Sequence, residues 1–210
     1  MAAIASPYGF KPVNLIGGLP YAGSTRNIPI ASGYGTNIFN GSLVYVAATG
    51  FLQIATSTGA DATTNGFPTG TANTGCVGVF LGCSYTNPST KQKVFSQYWP
   101  TGTVASDAVG IVVDDDRAVF QVQASGIVTA AALGANTFLS AVQSTSTGNV
   151  NTGNSTSAVV LESSMVATTA AFRVVGFVDM VGFSTVGDAF TDILVKFNPG
   201  YHSYSNAVGL

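Results

Sequence analysis

The stretch Gly75-Cys76-Val77-Gly78-Val79-Phe80-Leu81-Gly82-Cys83-Ser84-Tyr85 decides the fold class of this chain. From Val77 to Tyr85 it reads as a strand, rich in β-branched and aromatic side chains. Thr86-Asn87-Pro88-Ser89-Thr90 follows as a turn, because Asn-Pro favours turn initiation. Lys91 to Trp99 returns with Val94, Phe95, Tyr98 and Trp99. If Cys76 and Cys83 share one strand, their seven-residue separation puts them on opposite faces and roughly 23 Å apart. A disulfide between them is then excluded, and both read as small buried hydrophobes.

Strand signals continue on both sides of this stretch. Ser42 to Val46 and Phe51 to Ile54 read as a hairpin. Ala108 to Val113 and Ala118 to Gln123 read as another, joined at Asp114-Asp115-Asp116-Arg117. Phe120 and Val122 alternate with Gln121 and Gln123, which predicts one buried and one wet face. Val159 to Leu161, Phe172 to Met180 and Ile193 to Phe197 supply closing strands. Residues 56–75 and 143–157 are long polar loops, expected to be exposed. The helix-like segment at 127–141 centres on Ala130-Ala131-Ala132-Leu133 and is short enough to be a bent loop instead; Gly134 suits a C′ position. The expected fold is all-β, a β-barrel or a jelly-roll-like sandwich. Residues 31–200 form the β domain, open to division into similar units at about 31–125 and 126–200. That division rests on Gly41 to Val44 and Asn136 to Leu139, each followed by a polar loop and a strand. Residues 201–210 are a C-terminal tail.

Residues 1–30 differ from the rest. Pro7, Pro12, Pro20 and Pro29 are spaced too tightly for a helix, and Gly17-Gly18 and Gly23 add bends. The segment reads as an extended arm lying on a surface or, equally, as an edge strand of the main domain.

Charge is the most unusual property. Charged residues make up 8% of the 210 residues, against roughly 25% in an ordinary soluble domain. A surface of Thr, Ser, Asn, Gln and Gly offers little repulsion between copies and favours close association. The net charge of −2 carries no electrostatic footprint for nucleic acid. The mean hydropathy is +0.38, yet no apolar run reaches the ~20 residues of a spanning helix. Alternating strands with aromatic girdles are too few for an outer-membrane barrel. Met1 to Phe10 shows no signal peptide, so synthesis and use on the cytoplasmic side are expected.

Candidate chemistry is thin. His202 is the only histidine and sits in the tail, where a surface role is expected. A Ser-His-Asp triad or a Cys-His dyad with Cys76 or Cys83 would have to use it. Glu162 is the only glutamate, and the isolated aspartates read as turn or cap residues. Asp114-Asp115-Asp116 lacks the alternate spacing and the glycine of a calcium loop and reads as a hairpin turn. Lys91 and Lys93 read as a solvent face. Tyr98-Trp99-Pro100 offers either a stacking platform for a sugar or base, or a core or interface anchor. No catalytic residue, metal ligand or cofactor is assigned, and the chain reads as a non-enzyme.

Several strings, taken together, resemble small virion proteins of aquatic tailed bacteriophages, among the head decoration or cement proteins. They are Tyr8-Gly9-Phe10-Lys11-Pro12-Val13, Gly23-Ser24-Thr25-Arg26, Ile30-Ala31-Ser32-Gly33-Tyr34, Gly78 to Thr86, and Ser96-Gln97-Tyr98-Trp99-Pro100. They cover about the first half of the chain. The resemblance implies binding to the outside of the capsid, between major capsid proteins, as a homotrimer or dimer. It implies location in the virion after synthesis in the host cytoplasm. Tyr8, Phe10, Arg26, Tyr98 and Trp99 are then candidates for the capsid or subunit interface. A tail or head-fibre component, or a glycan-binding module using Trp99, Tyr98 and the 56–75 loop, are the alternatives.

Overall fold

A computed structural model describes residues 4–57, 75–166, 170–179 and 184–205. Its strands, in chain order, are β1 (Lys11–Leu15), β2 (Arg26–Pro29), β3 (Leu43–Val46), β4 (Leu52–Ile54), β5 (Gly78–Thr86) and β6 (Lys93–Ser96). Next come β7 (Val109–Val113), β8 (Ala118–Gln123), β9 (Asn136–Thr137), β10 (Gly148–Asn149), β11 (Asn154–Ser155), β12 (Phe172–Phe177) and β13 (Asp192–Phe197). The strands form two antiparallel sheets packed as a sandwich. The first sheet runs β1-β8-β13-β12-β9. The second runs β2-β7-β5-β3-β4, with β6 also paired to β5, and β10-β11 is a separate small hairpin.

Alternation in the strands explains the sandwich. In β13, Ile193, Val195 and Phe197 are buried while the residues between them are half-buried. They join Phe120, Val122, Phe172 and Val174 in a core that meets Leu43, Val79 and Val113 from the second sheet. The opposite face of the second sheet buries its own cluster, with Val44, Leu52, Phe80, Cys83, Val112 and Trp99. A Cβ on Gly110 in β7 would press on Leu52 of β4 and Phe80 of β5. The second sheet therefore curls around this inner cluster, and Gly110 is the bare spot that lets Leu52 approach. The two cysteines follow the expected pattern: Cys76 belongs to one core, Cys83 to the other, and both are free.

The β3-β4 and β5-β6 hairpins form as the alternation predicts, with Val44 opposite Ile54 and Tyr85 opposite Val94. The third expected hairpin does not. β7 pairs with β2 and β5, whereas β8 pairs with β1 and β13. Asp114 to Arg117 is thus the crossing between sheets. A short polar connection looks the same in sequence whether its strands pair or part, because the choice depends on which faces must be buried. The segment at Ala130–Ala132 is a single 3-10 turn capped by Thr129, with Gly134 at φ +84° just beyond it.

The N-terminal segment is not a free arm. β1 is the edge of one sheet and β2 the edge of the other. Between the segment and the core stands Phe10, fully buried, stacked on Phe172 at 4.9 Å and edge-on to Phe120 at 6.3 Å. The Phe10 amide donates to the Gly41 carbonyl at 3.0 Å. Gly9 and Gly41 both have positive φ and lie so close that a Cβ on either would strike the other's backbone. Before Phe10 the chain crosses the outer face of the first sheet. There the Gln123 side chain accepts from the Ser6 amide at 2.8 Å and donates to the Ile4 carbonyl at 3.2 Å. Gln123 is consequently buried rather than wet, because residues on the same face recruit the N-terminal strand as a cover.

Two other regions depart from the sequence reading. The 143–157 loop is anchored rather than wholly exposed: Gln143 is buried, donates to the Leu43 and Ala55 carbonyls, and accepts from the Leu43 amide. The tail docks as well. Tyr201 and His202 are buried, and the Cys76 amide donates to the Tyr201 carbonyl at 2.8 Å. Most of the 56–75 loop lies outside the described residues. Leu43 of β3 pairs with Val79 of β5, as Thr137 of β9 pairs with Phe172 of β12. The halves nevertheless share a core, because β1 joins the C-terminal sheet.

Candidate functional site

The five interface candidates are scattered by the fold. Trp99 is fully buried, edge-on to Tyr85 at 5.5 Å, and its Nε1 donates to the Tyr34 carbonyl at 3.3 Å. Tyr98 is half-buried and stacked on Phe39 at 5.5 Å. Trp99 and Phe10 are therefore core anchors and present no surface to a partner. The tryptophan-centred stacking platform is closed for the same reason. Adjacent residues of an extended chain face opposite ways, and here the larger ring took the inside.

Tyr8 lies half-buried on the outer face of the first sheet, with the Lys11 ammonium 4.2 Å above its ring. Burial, and then the neighbouring Asp192 carboxylate, push its phenol well above the usual tyrosine range. Asp192 is itself raised by burial. Its carboxylate accepts from Gln121 at 3.4 Å, and its amide donates to Ser184 Oγ at 2.8 Å.

Arg26 retains an exposed side chain, yet it is committed within the chain. It meets Asp114 at 2.6 Å and stacks over the Tyr204 ring at 5.1 Å. The Tyr204 hydroxyl donates to the same Asp114 carboxylate at 3.0 Å. Asp115 accepts from the Arg117 amide at 2.8 Å, and Asp116 accepts from the Ser205 hydroxyl at 2.9 Å. The acidic triplet thus ties the sheet-to-sheet crossing to the tail. Each carboxylate already has a partner, and among the described residues no group of three or more His, Cys, Asp or Glu is placed to hold a metal ion. Lys93 is likewise engaged, with Asp107 at 2.9 Å.

His202 is brought beside Cys76 by a parallel bridge of their backbones. The pairing does not make a nucleophile. Cys76 Sγ donates to the Val44 and Gly78 carbonyls at 3.0 and 3.2 Å, and burial pushes its thiol up to about 12. Cys83 is also pushed up to about 12 by burial. His202 Nδ1 accepts from the Tyr204 amide at 3.3 Å, and the ring lies between Phe197 and Tyr204. Burial lowers its pKa, against the opposing pull of Asp116, Asp114 and Asp115. The geometry holds a thiol and a neutral imidazole, the unreactive forms of both groups.

The sequence reading missed a cleft between the N-terminal segment and the β10-β11 hairpin. It has a volume of about 410 Å³ and includes Tyr8, Asn149, Asn154 and Thr156 among its lining. The signal was present as the Asn- and Thr-rich composition of 143–157, but composition does not say which loop folds back on the N-terminus. Compared with protein-family models, curated proteins and solved structures, the chain matches none.

Proposed function

We propose that this chain is a structural virion protein that binds the outer surface of a phage capsid and strengthens contacts between major capsid proteins. The observation that carries the reading is the neutral surface. Few charges exist, and Arg26, Asp114, Lys93 and Asp107 are spent on one another. Large apolar side chains stand exposed among the polar ones, with Phe95 on β6 exposed at 79%, and Leu19, Val104 and Leu133 more than half exposed. Such a surface suits permanent burial between subunits. The resemblance of the Tyr8 to Val13 and Ser96 to Pro100 strings supplies the capsid. With Phe10 and Trp99 inside, the contacts fall to exposed residues, foremost Phe95.

The mechanism is mass action: a protein that binds only the assembled, expanded lattice stabilises it by its binding free energy. At a free concentration of 100 times Kd that amounts to about 2.7 kcal/mol per site. The test adds purified protein to capsids lacking it. Saturable binding and a higher temperature of DNA release are expected, with weaker binding by Phe95→Ser. Absence of binding at micromolar concentration refutes the reading. Native mass spectrometry of the free protein should give a trimer, with a dimer as the alternative.

A further inference from the structure

The 410 Å³ cleft has a smaller neighbour of about 210 Å³, and the two share Ala5, Pro7 and Thr156 in their lining. Together they form a groove flanking the segment that crosses the first sheet. The larger part alone falls within the ~300–1,000 Å³ range of small-molecule sites. None of the residues lining either part carries a charge.

Three features of this groove suit a ligand, although Ser6 and Thr156 are exposed and Asn154 is half-buried. Ser6, Asn154 and Thr156 line it, and among the described residues their side chains make no hydrogen bond. Their neighbours Thr152 and Ser155 are by contrast committed, to Asn149 and to Thr147 and Ser157. Tyr8 lines one part and Phe190 the other, giving each an aromatic side chain. Phe190 is held at φ +58°, a left-handed conformation that is rare for a bulky residue and is concentrated at ligand sites.

We propose that this groove binds a neutral saccharide. A sugar presents hydroxyls that both donate and accept, matching uncommitted amide and hydroxyl groups, and C–H faces that pack on aromatic rings. No lining residue offers an ionic ligand a counter-charge to offset its desolvation, and the Lys11 ammonium over the Tyr8 ring stands outside the lining. The groove shares no lining residue with Phe95, Leu19, Val104 or Leu133, and it does not involve Trp99.

The test uses the full-length purified protein on an array carrying neutral and sialylated glycans, followed by saturation-transfer NMR with the neutral sugars that bind. At least one neutral glycan is expected to bind, and Asn154→Ala should weaken it at least tenfold. Phe190→Gly should weaken it similarly while removing the left-handed strain, so its near-UV circular dichroism stays native. Thr156→Val gives a second, isosteric probe of the polar wall. Binding of no neutral glycan at millimolar concentration overturns the proposal. So does preference for sialylated glycans, or binding unaffected by natively folded Asn154→Ala and Thr156→Val.

Discussion

Phe10→Ala separates an N-terminal arm from an N-terminal structural strand. Phe10 is fully buried and contacts two aromatic rings, Phe172 and Phe120. Truncating a buried phenylalanine costs about 3–5 kcal/mol, the lost transfer energy plus the cavity left behind. Its surroundings favour the upper half of that range, because aromatic pairs add ~0.5–1.5 kcal/mol beyond area and the Gly9–Gly41 contact stops the backbone from collapsing inward. For a chain of this size each kcal/mol moves the melting temperature by about 2–4 °C, so a loss in that upper half should lower the midpoint by roughly 8–20 °C. Trp99 is the single tryptophan and lies in the other core, so its fluorescence reports loss of the whole sandwich in a urea titration. Phe95→Ser, at an exposed position, should stay within about 0.5 kcal/mol of the parent. Deleting residues 1–30 removes β1, β2 and Phe10 together and should abolish folding rather than merely weaken particle binding. A loss below 1 kcal/mol for Phe10→Ala, or a truncated chain with native circular dichroism, would refute the reasoning.

Other expectations follow from single contacts. Gln143→Leu strands the Leu43 amide and the Ala55 carbonyl, while the Leu43 carbonyl keeps the Ala55 amide, and should lower stability by about 2 kcal/mol in the same titration. Gly78→Ala drives a Cβ into the Val113 carbonyl at the β5–β7 junction and should yield little soluble protein. Both thiols should resist a thiol-exchange dye at pH 8 and react only in denaturant; rapid labelling of the native protein contradicts their burial. His202 has its folded pKa lowered, so its contribution is full above the unfolded value of about 6.5 and is lost as pH falls below that toward the folded value. Stability should therefore drop between pH 7.5 and 5.5, and His202→Gln should flatten that drop; an unchanged slope would place the titration elsewhere.

Strand existence was legible where alternation is strong. Val77 to Tyr85, Phe120 with Val122, and Ile193 to Phe197 announce themselves because one face must be apolar. Strand partners were not. The β7–β8 crossing and the β3–β4 hairpin are both short polar connections in sequence, and only the competition for the common core parts one pair and joins the other. The candidate site was less legible still. Trp99 and Phe10 have the composition of interface anchors, but the same large apolar area that would bury against a partner was buried against the chain itself.

By itself the sequence determined an all-β chain of scarce charge with two cysteines that cannot bond, since pleat, turn chemistry and charge count are local or additive properties. Tertiary structure alone decided that the first thirty residues supply edge strands to both sheets, that His202 is buried, and that Asn154, Thr156 and Phe190 line one groove. Those outcomes depend on contacts between segments up to about 180 positions apart, such as the Arg26 and Tyr204 pairing. Such contacts form only where many apolar faces are satisfied at once, a collective condition that no local pattern encodes.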